Sequence, residues 1–522
     1  MSRLDKKQVV KNISSSWFSL GLNVLVGIFL SPYILHHLGD TAFGIWVLIF
    51  SVTGYYGLFD LGVRSSIVRY VSKYAATDDR EGLAKLVNTS LFSYSCIGVL
   101  SMAVTVVTSF YVDRLFKIPP ELQGTARLLL LMVGFSVALG FPLGIFGGFL
   151  EGLQRFYINN ATSVFATVVR AVLIVMALQR GYGLLTVAII TISLPIISNI
   201  IRAVAALRLC PVPFGTKYVD RETFRQMANY SAVTFMIMVA GRLKFKTDEI
   251  VIGAFLSASA ITYFNIGARI VDYAGEVVNS LAQNALPMAS QSEATGDSNR
   301  LRKVLVAANR FSSFTIFPIT AVLLILGRSI IEVWVGQKYV ADSYRVLVIL
   351  LVPSTVMWAQ AASGRVLFGI SKHKTWAYVT MAEGISNLIL SIILVRPYGI
   401  IGDAYGTAIP LMCSMVLFMP WHLCRLVGIR MRTYLRETYS LPILITLPLV
   451  GALLLMRRWY HPHNYRGLVV QLVIAAAVYG LGLLWAIGTR RAFQVGELAP
   501  KMAKASAERD TDAPTVAYQE DI

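Results

Sequence analysis

Arg242, Lys244, Lys246, Asp248 and Glu249 crowd into one short stretch with apolar sequence on both sides. Arginine and lysine there can coordinate an anionic group, while carboxylates can hold those bases in place or carry a coupling ion. A second set follows at Arg269, Asp272 and Glu276, whose i, i+3, i+7 spacing places all three on one face of a helix. Arg170 stands inside the apolar run 164–176, Arg365 and Glu383 lie in later apolar runs, and Asp60 ends an early one. The competing reading is that some of these charges close into salt bridges that only order helices.

The elements that must position these residues follow from composition. A soluble domain carries about 25% charged residues, whereas this chain of 522 residues has 14% charged and 56% hydrophobic. Apolar runs recur from end to end at the length of about 20 residues that crosses a bilayer as helix. The sequence predicts an all-α polytopic membrane bundle of about fourteen spans, with cores at 13–36, 41–62, 86–111, 126–149, 157–178, 184–206, 228–254, 258–282, 309–333, 344–368, 375–396, 402–424, 439–457 and 466–488. No secretory signal is expected, because 1–11 is polar and basic and the first apolar run is too long for a signal core.

The net charge of +19 would suggest nucleic acid in a soluble protein, but basic residues collect in cytoplasmic loops of membrane proteins, and no nucleic-acid partner is expected. If the spans alternate, Arg3, Lys6, Lys7 and Lys11, then Arg64–Lys85, Arg208–Arg225, Arg300–Arg310, Lys372 and Lys374, Arg425–Arg436, and Arg490 with Arg491 all fall on one side. Exceptions are Arg114, Lys117, Arg457, Arg458 and Arg466. This bias predicts cytoplasmic termini in a multi-pass protein of the inner or plasma membrane. Cys96, Cys210, Cys413 and Cys424 form no CxxC pair, and the 461–463 His-Pro-His run lacks further ligands nearby, so neither metal nor other cofactor is expected. The segment 492–522 is polar and reads as a disordered cytoplasmic tail. The longest outer loop, near 111–123, is too small to fold alone, so no soluble domain carries an active site and the chain is not expected to be an enzyme.

The two halves repeat. Ile34, Leu38 and Ala42 match Ile252, Leu256 and Ala260, and Ser72, Ala76, Thr77, Asp79, Leu83 and Lys85 match Ser290, Ala294, Thr295, Asp297, Leu301 and Lys303, all at a spacing of 218. Gly152 pairs with Gly369, and Tyr182-Gly183 with Tyr398-Gly399, as the spacing drifts to 217 and 216. Matches in the polar loop carry most weight, since chance identity is lower there. Each repeat holds six spans, an even number, so the repeats are parallel, a common transporter plan with substrate between the halves. The organisation expected is an N-lobe 1–210, a C-lobe 211–430, two extra spans in 431–491 and the tail 492–522.

The repeat places the charged stretch at membrane depth. Arg242, Lys246 and Asp248 map onto Val24, Ile28 and Leu30, inside the unbroken first span. Three bases facing lipid there would cost about 8–10 kcal/mol, at about 2.5–3.5 kcal/mol each. A water-filled vestibule between the halves would offset this. Arg269 and Asp272 map onto Ser51 and Gly54, so the scaffold repeats while the charge does not.

Gly39-Asp40-Thr41-Ala42-Phe43-Gly44-Ile45-Trp46, Gly57-Leu58-Phe59-Asp60-Leu61-Gly62-Val63 and Arg69-Tyr70 resemble the start of polysaccharide-biosynthesis flippases. So do Asp248-Glu249-Ile250-Val251-Ile252-Gly253, Tyr263-Phe264-Asn265-Ile266-Gly267-Ala268-Arg269-Ile270 and Glu332-Val333-Trp334-Val335-Gly336. These are the Wzx-like members of the multidrug, oligosaccharidyl-lipid and polysaccharide exporter superfamily. The resemblance implies a V-shaped bundle of two six-helix lobes that alternates access. It implies movement of an undecaprenyl-diphosphate-linked oligosaccharide from the cytoplasmic to the outer leaflet, with glycosyltransferases and a polymerase of the same pathway as partners. Arg170, Arg242, Lys244, Lys246, Arg269 and Arg365 would then meet the anionic headgroup, and Asp60, Asp248, Asp272, Glu276 and Glu383 would serve ion coupling. A cation-coupled drug exporter is the first rival, although a basic cavity repels cationic drugs. A membrane-embedded glycan ligase, polymerase or glycosyltransferase is the second, with Arg457–Arg466 as its best loop, and a lipid-binding scaffold the third.

Overall fold

The structure, a computed structural model, describes residues 6–60, 63–283, 285–460, 462–489 and Arg491. The tail 492–522, His461, Arg490 and the Leu61-Gly62 pair of the second motif lie outside the described residues. The fold is all-α, and no strand occurs among the described residues. Among the described residues ten helical segments are long and apolar enough to cross a membrane, which makes this a multi-pass membrane protein.

The expected fourteen spans are not reached by length and apolarity alone. Two of the ten segments, Ser14–Asp60 and Lys374–Val427, each cover two expected spans. They are broken by glycines in left-handed backbone, Gly39 at φ 77° and Gly399 at φ 60°. The Arg221–Phe245 and Ala258–Ala282 helices are not among the ten. A further correction concerns the seventh span, expected to run unbroken over 228–254. It stops at Phe245, and a new helix starts at Asp248.

The described chain packs into two compact units. One comprises the residues up to Ile270 with Trp334–Leu350 and Ala377–Pro410. The other comprises Val271–Val333, Leu351–Trp376 and the chain from Leu411 onward. Each has its own apolar core, and the two cores use equivalent positions of the repeat. In the first, Ile67, Val71, Leu83, Val87, Ile145 and Leu150 are buried together. In the second, Ala285, Ala289, Leu301, Leu305, Ala362 and Leu367 are buried together. Every one of these pairs stands 218 or 217 residues apart.

Polar details repeat as well. Asp79 caps the Arg80–Leu115 helix by accepting from the Gly82 amide at 2.8 Å, and Asp297 caps Ser298–Val335 by accepting from the Arg300 amide at 2.9 Å. Gln154 and Ser371 both adopt left-handed backbone, at φ 59° and 55°. The last two long helices, Met431–Trp459 and Tyr465–Gly488, pack in the second unit against Ser298–Val335. Their buried contacts are Leu449, Leu453 and Ala475 with Ala321 and Leu326.

Candidate functional site

The charged stretch sits at the break between two helices. Asp220 caps the Arg221–Phe245 helix, accepting from the Thr223 amide at 2.7 Å and the Thr223 hydroxyl at 2.6 Å. These bonds hold the Asp220 carboxyl below the usual carboxylate range. At the other end the helix stops where Lys246, Thr247 and Asp248 follow one another. Threonine and aspartate compete for backbone bonds, and Thr247 does so here by donating its hydroxyl to the Leu243 carbonyl at 2.8 Å. The neighbouring carbonyls are satisfied as well. Arg242 O accepts from the Lys246 amide at 3.0 Å and from the Tyr55 hydroxyl at 3.2 Å. Lys244 O accepts from Asn387 Nδ2 at 3.0 Å. A break at membrane depth is tolerated where such partners exist. The next helix, Asp248–Phe255, opens with two acidic residues, which suits the positive end of its dipole.

A buried polar network surrounds this break. Lys244 Nζ lies 2.5 Å from Glu383 Oε1, with side chains only 4% and 2% exposed. Thr407 donates its hydroxyl to Asp248 Oδ1 at 2.9 Å, and Ser391 donates to Asn387 Oδ1 at 3.0 Å. Asp403 is completely buried, with Asp248 and Glu249 as its charged neighbours. Four carboxyl groups near the break are thus buried, Glu383 against Lys244 and Asp403 beside Asp248 and Glu249.

The structure brings three of the expected residues, Lys244, Asp248 and Glu383, into this network. Arg242 and Lys246 flank it and are half-buried. The Arg242 guanidinium lies over Gly57, where an added Cβ would stand 3.2 Å from Nη2. Arg170 is half-buried on the Phe156–Gln179 helix, and Arg269 on Ala258–Ala282. Asp60 takes a hydrogen bond from the Tyr94 hydroxyl. In the second unit, Asp272 and Glu276 are exposed, and Arg365 donates to Asn279 Oδ1 at 3.0 Å. Arg365 belongs to the short Ala361–Gly369 helix, separate from Val340–Ala359. His463 Nδ1 lies 2.8 Å from Glu332.

Two charged residues escaped the sequence reading. Asp403 stands at the start of an expected span, next to the Tyr398–Ile401 stretch that repeats, and a carboxylate inside an apolar run was the available signal. Arg202 lies within the Leu184–Leu209 helix and donates to Thr162 Oγ1 at 2.9 Å and Ser163 Oγ at 2.8 Å. It ties two helices of the first unit together.

A family model described as polysaccharide biosynthesis protein matches residues 9–293, more than half of the chain. The chain belongs to the polysaccharide biosynthesis protein family. Members of this family are membrane transporters and flippases, and the chain is no exception in being a transporter rather than an enzyme. Its relatives include the uncharacterized membrane protein EpsK of Bacillus subtilis, 21% identical over 438 residues, covering 81% of this chain and 85% of that protein. A Shigella flexneri protein provisionally named an O-antigen transporter is 18% identical over 428 residues, covering 81% of this chain and 99% of that protein. Among solved structures, the lipid II flippase MurJ in its inward closed conformation aligns with a TM-score of 0.69 at 17% identity, covering 93% of this chain and 100% of that one. At this identity the likeness speaks for the fold.

Proposed function

We propose that the chain moves an undecaprenyl-diphosphate-linked oligosaccharide from the cytoplasmic to the outer leaflet by alternating access through a cationic cavity. The observation that carries this reading is the broken seventh span, which offers Arg242 and Lys246 half-buried beside a network that already neutralises Lys244. A diphosphate is the anion such bases hold best, through charge-assisted hydrogen bonds. Arg242, Lys246, Arg269 and Arg170 are assigned to the headgroup, and Lys244 to holding the break in shape.

The ion-coupling role falls to Asp248 and Glu383, joined by Glu249 and Asp403, because Asp248, Glu249 and Asp403 are buried beside one another and Glu383 is buried close by against Lys244. Asp60, Asp272 and Glu276 are kept as secondary coupling candidates. The proposal includes the six-plus-six plan with lobes 1–210 and 211–430, two further spans in 431–491, and fourteen spans in all. It also includes cytoplasmic termini in the inner membrane, with glycosyltransferases and a polymerase as neighbours in the pathway.

The test is reconstitution in liposomes with a fluorescent undecaprenyl-diphosphate disaccharide, read as label reaching the opposite leaflet. The Arg242→Ala, Lys246→Ala double variant is expected to lose about tenfold or more, since each charged hydrogen bond contributes about 1.5–3 kcal/mol. Wild-type rates in that variant would overturn the headgroup assignment. Wild-type protein that moves no lipid would overturn the function.

A further inference from the structure

Three of the motif segments, far apart in sequence, meet at one end of the first unit. Asp40 adjoins Gly39, whose left-handed backbone breaks the Lys6–Gly54 helix. Its carboxylate receives hydrogen bonds from the Lys338 ammonium and the Tyr339 hydroxyl. Its main-chain carbonyl accepts from the Thr262 hydroxyl at 2.7 Å. The rings of Tyr263 and Tyr339 stand 5.1 Å apart, and Ser343 donates to the Tyr263 carbonyl at 2.7 Å. Trp334 donates its indole N–H to the Ile28 carbonyl at 2.6 Å. Lys338 follows Gly336, also in left-handed backbone at φ 112°. Both sides of the Asp40 contact therefore hang on glycine joints between helices.

The contact lies on an approximate two-fold relation between the repeats. Gly44 approaches Ala258 so closely that an added Cβ would fall 1.8 Å from the Ala258 carbonyl oxygen. Thr262 approaches Asp40 in turn. Asp40 and Ala258 are repeat mates, as are Gly44 and Thr262. The carboxylate is the departure from that symmetry, since Ala258 has nothing to offer a cation.

We propose that Asp40, Lys338 and Tyr339 form a clasp that closes this end of the first unit and opens when the protein turns outward. The inference rests on the transport reading and on the orientation proposed above, which puts the 36–42, 257–260 and 337–342 connections on the outer side. The clasp is built to release. Lys338 is 62% exposed, so the ion pair is screened by water and weak. Beneath it Gly44 and Ala258 meet backbone to backbone, and the Thr262 hydroxyl and the Tyr263–Tyr339 ring contact make the closed arrangement specific.

The test uses the full chain with Cys96, Cys210, Cys413 and Cys424 changed to serine. A reporter cysteine at the fully buried Ser343 is labelled by an impermeant maleimide added outside cells. Asp40→Asn should raise labelling about fivefold, the shift that loss of a weak contact gives a two-state equilibrium. Gly44→Val, which wedges the backbones apart, should shift labelling the same way. Unchanged labelling in both variants overturns the clasp. In a second arm, Asp40→Cys with Lys338→Cys is bridged by a bis-methanethiosulfonate, and movement of a fluorescent undecaprenyl-diphosphate disaccharide is followed in liposomes. Bridging should slow it at least about tenfold, the loss expected when the open state is withheld, and reductant should restore it. Full speed with the bridge in place overturns the clasp. Labelling needs no lipid substrate, so it decides the clasp even if the unbridged protein moves no lipid and the transport reading fails.

Discussion

The hydroxyl of Ser72 donates to the carbonyl of Gly152 at 2.7 Å, and at the equivalent place in the second repeat Ser290 donates to Gly369 at 2.9 Å. The surroundings match too. A Cβ on Gly152 would stand 2.7 Å from Val71 Cβ and 2.9 Å from Val68 O, and one on Gly369 would stand 2.9 Å from Ala289 Cβ and 2.8 Å from Leu286 O. Val68 and Leu286, Val71 and Ala289 are again 218 residues apart. In each unit two helices meet, held close by a glycine and fastened by a serine.

Removal of the fastening should therefore cost the same in both units. Ser72→Ala and Ser290→Ala are each expected to destabilise by about 1 kcal/mol, the net contribution of one hydrogen bond. Gly152→Ala and Gly369→Ala should cost more, about 1–3 kcal/mol, because backbones must part. Thermal unfolding in detergent measures all four, and a serine variant worse than its glycine partner would contradict the packing argument.

The Lys244–Glu383 pair should behave as a buried ion pair. Lys244→Met or Glu383→Gln alone is expected to cost about 3–5 kcal/mol, since each leaves a buried polar group without its counterpart. Lys244→Met with Glu383→Leu should recover most of that loss. Additive losses in the double variant, read from the same unfolding curves, would show that the two residues act independently.

Tyr55 and Gly57 serve the break in different ways. Tyr55→Phe removes the hydroxyl shared by Arg242 O and Thr247 Oγ1, 2.7 Å away, and should cost about 1 kcal/mol of stability. Gly57→Val crowds the Arg242 guanidinium and should leave stability nearly unchanged while weakening apparent affinity for the lipid diphosphate. Concentration-dependent transport in liposomes separates the two effects. An unaltered half-saturation point in Gly57→Val would remove Arg242 from the headgroup site.

Arg310 anchors the two extra helices within the second unit. It donates through Nε to the Glu437 carbonyl at 2.7 Å and lies 3.4 Å from the Glu437 carboxylate, while neighbouring Asn309 donates to the Tyr434 hydroxyl at 3.0 Å. Arg310→Met should cost about 2–5 kcal/mol, because the arginine is 4% exposed and its partners lose a buried charge. Glu437→Gln should cost less, since the main-chain acceptor remains. Limited proteolysis near Arg430, faster in Arg310→Met than in Glu437→Gln, checks the order.

Much of this was legible in the residues alone. Helical class and membrane character follow from apolar length, because a bilayer accepts few solutions to backbone hydrogen bonding. The repeat was legible too. Ser72 matches Ser290 and Gly152 matches Gly369 as letters, and the structure joins each serine to its glycine. The intramembrane charges were legible as a set, since each is costly in an apolar run. Their grouping was not. That Lys244 belongs to Glu383, that Asp403 joins Asp248, and that Tyr55 reaches the break at Lys246–Thr247 depend on which helices lie side by side. Periodicity gives a residue's face on its own helix but not the neighbour that face meets. The same holds at Asp40: a short motif marks the position, and only packing brings Lys338 and Tyr339 to it across some three hundred residues of chain.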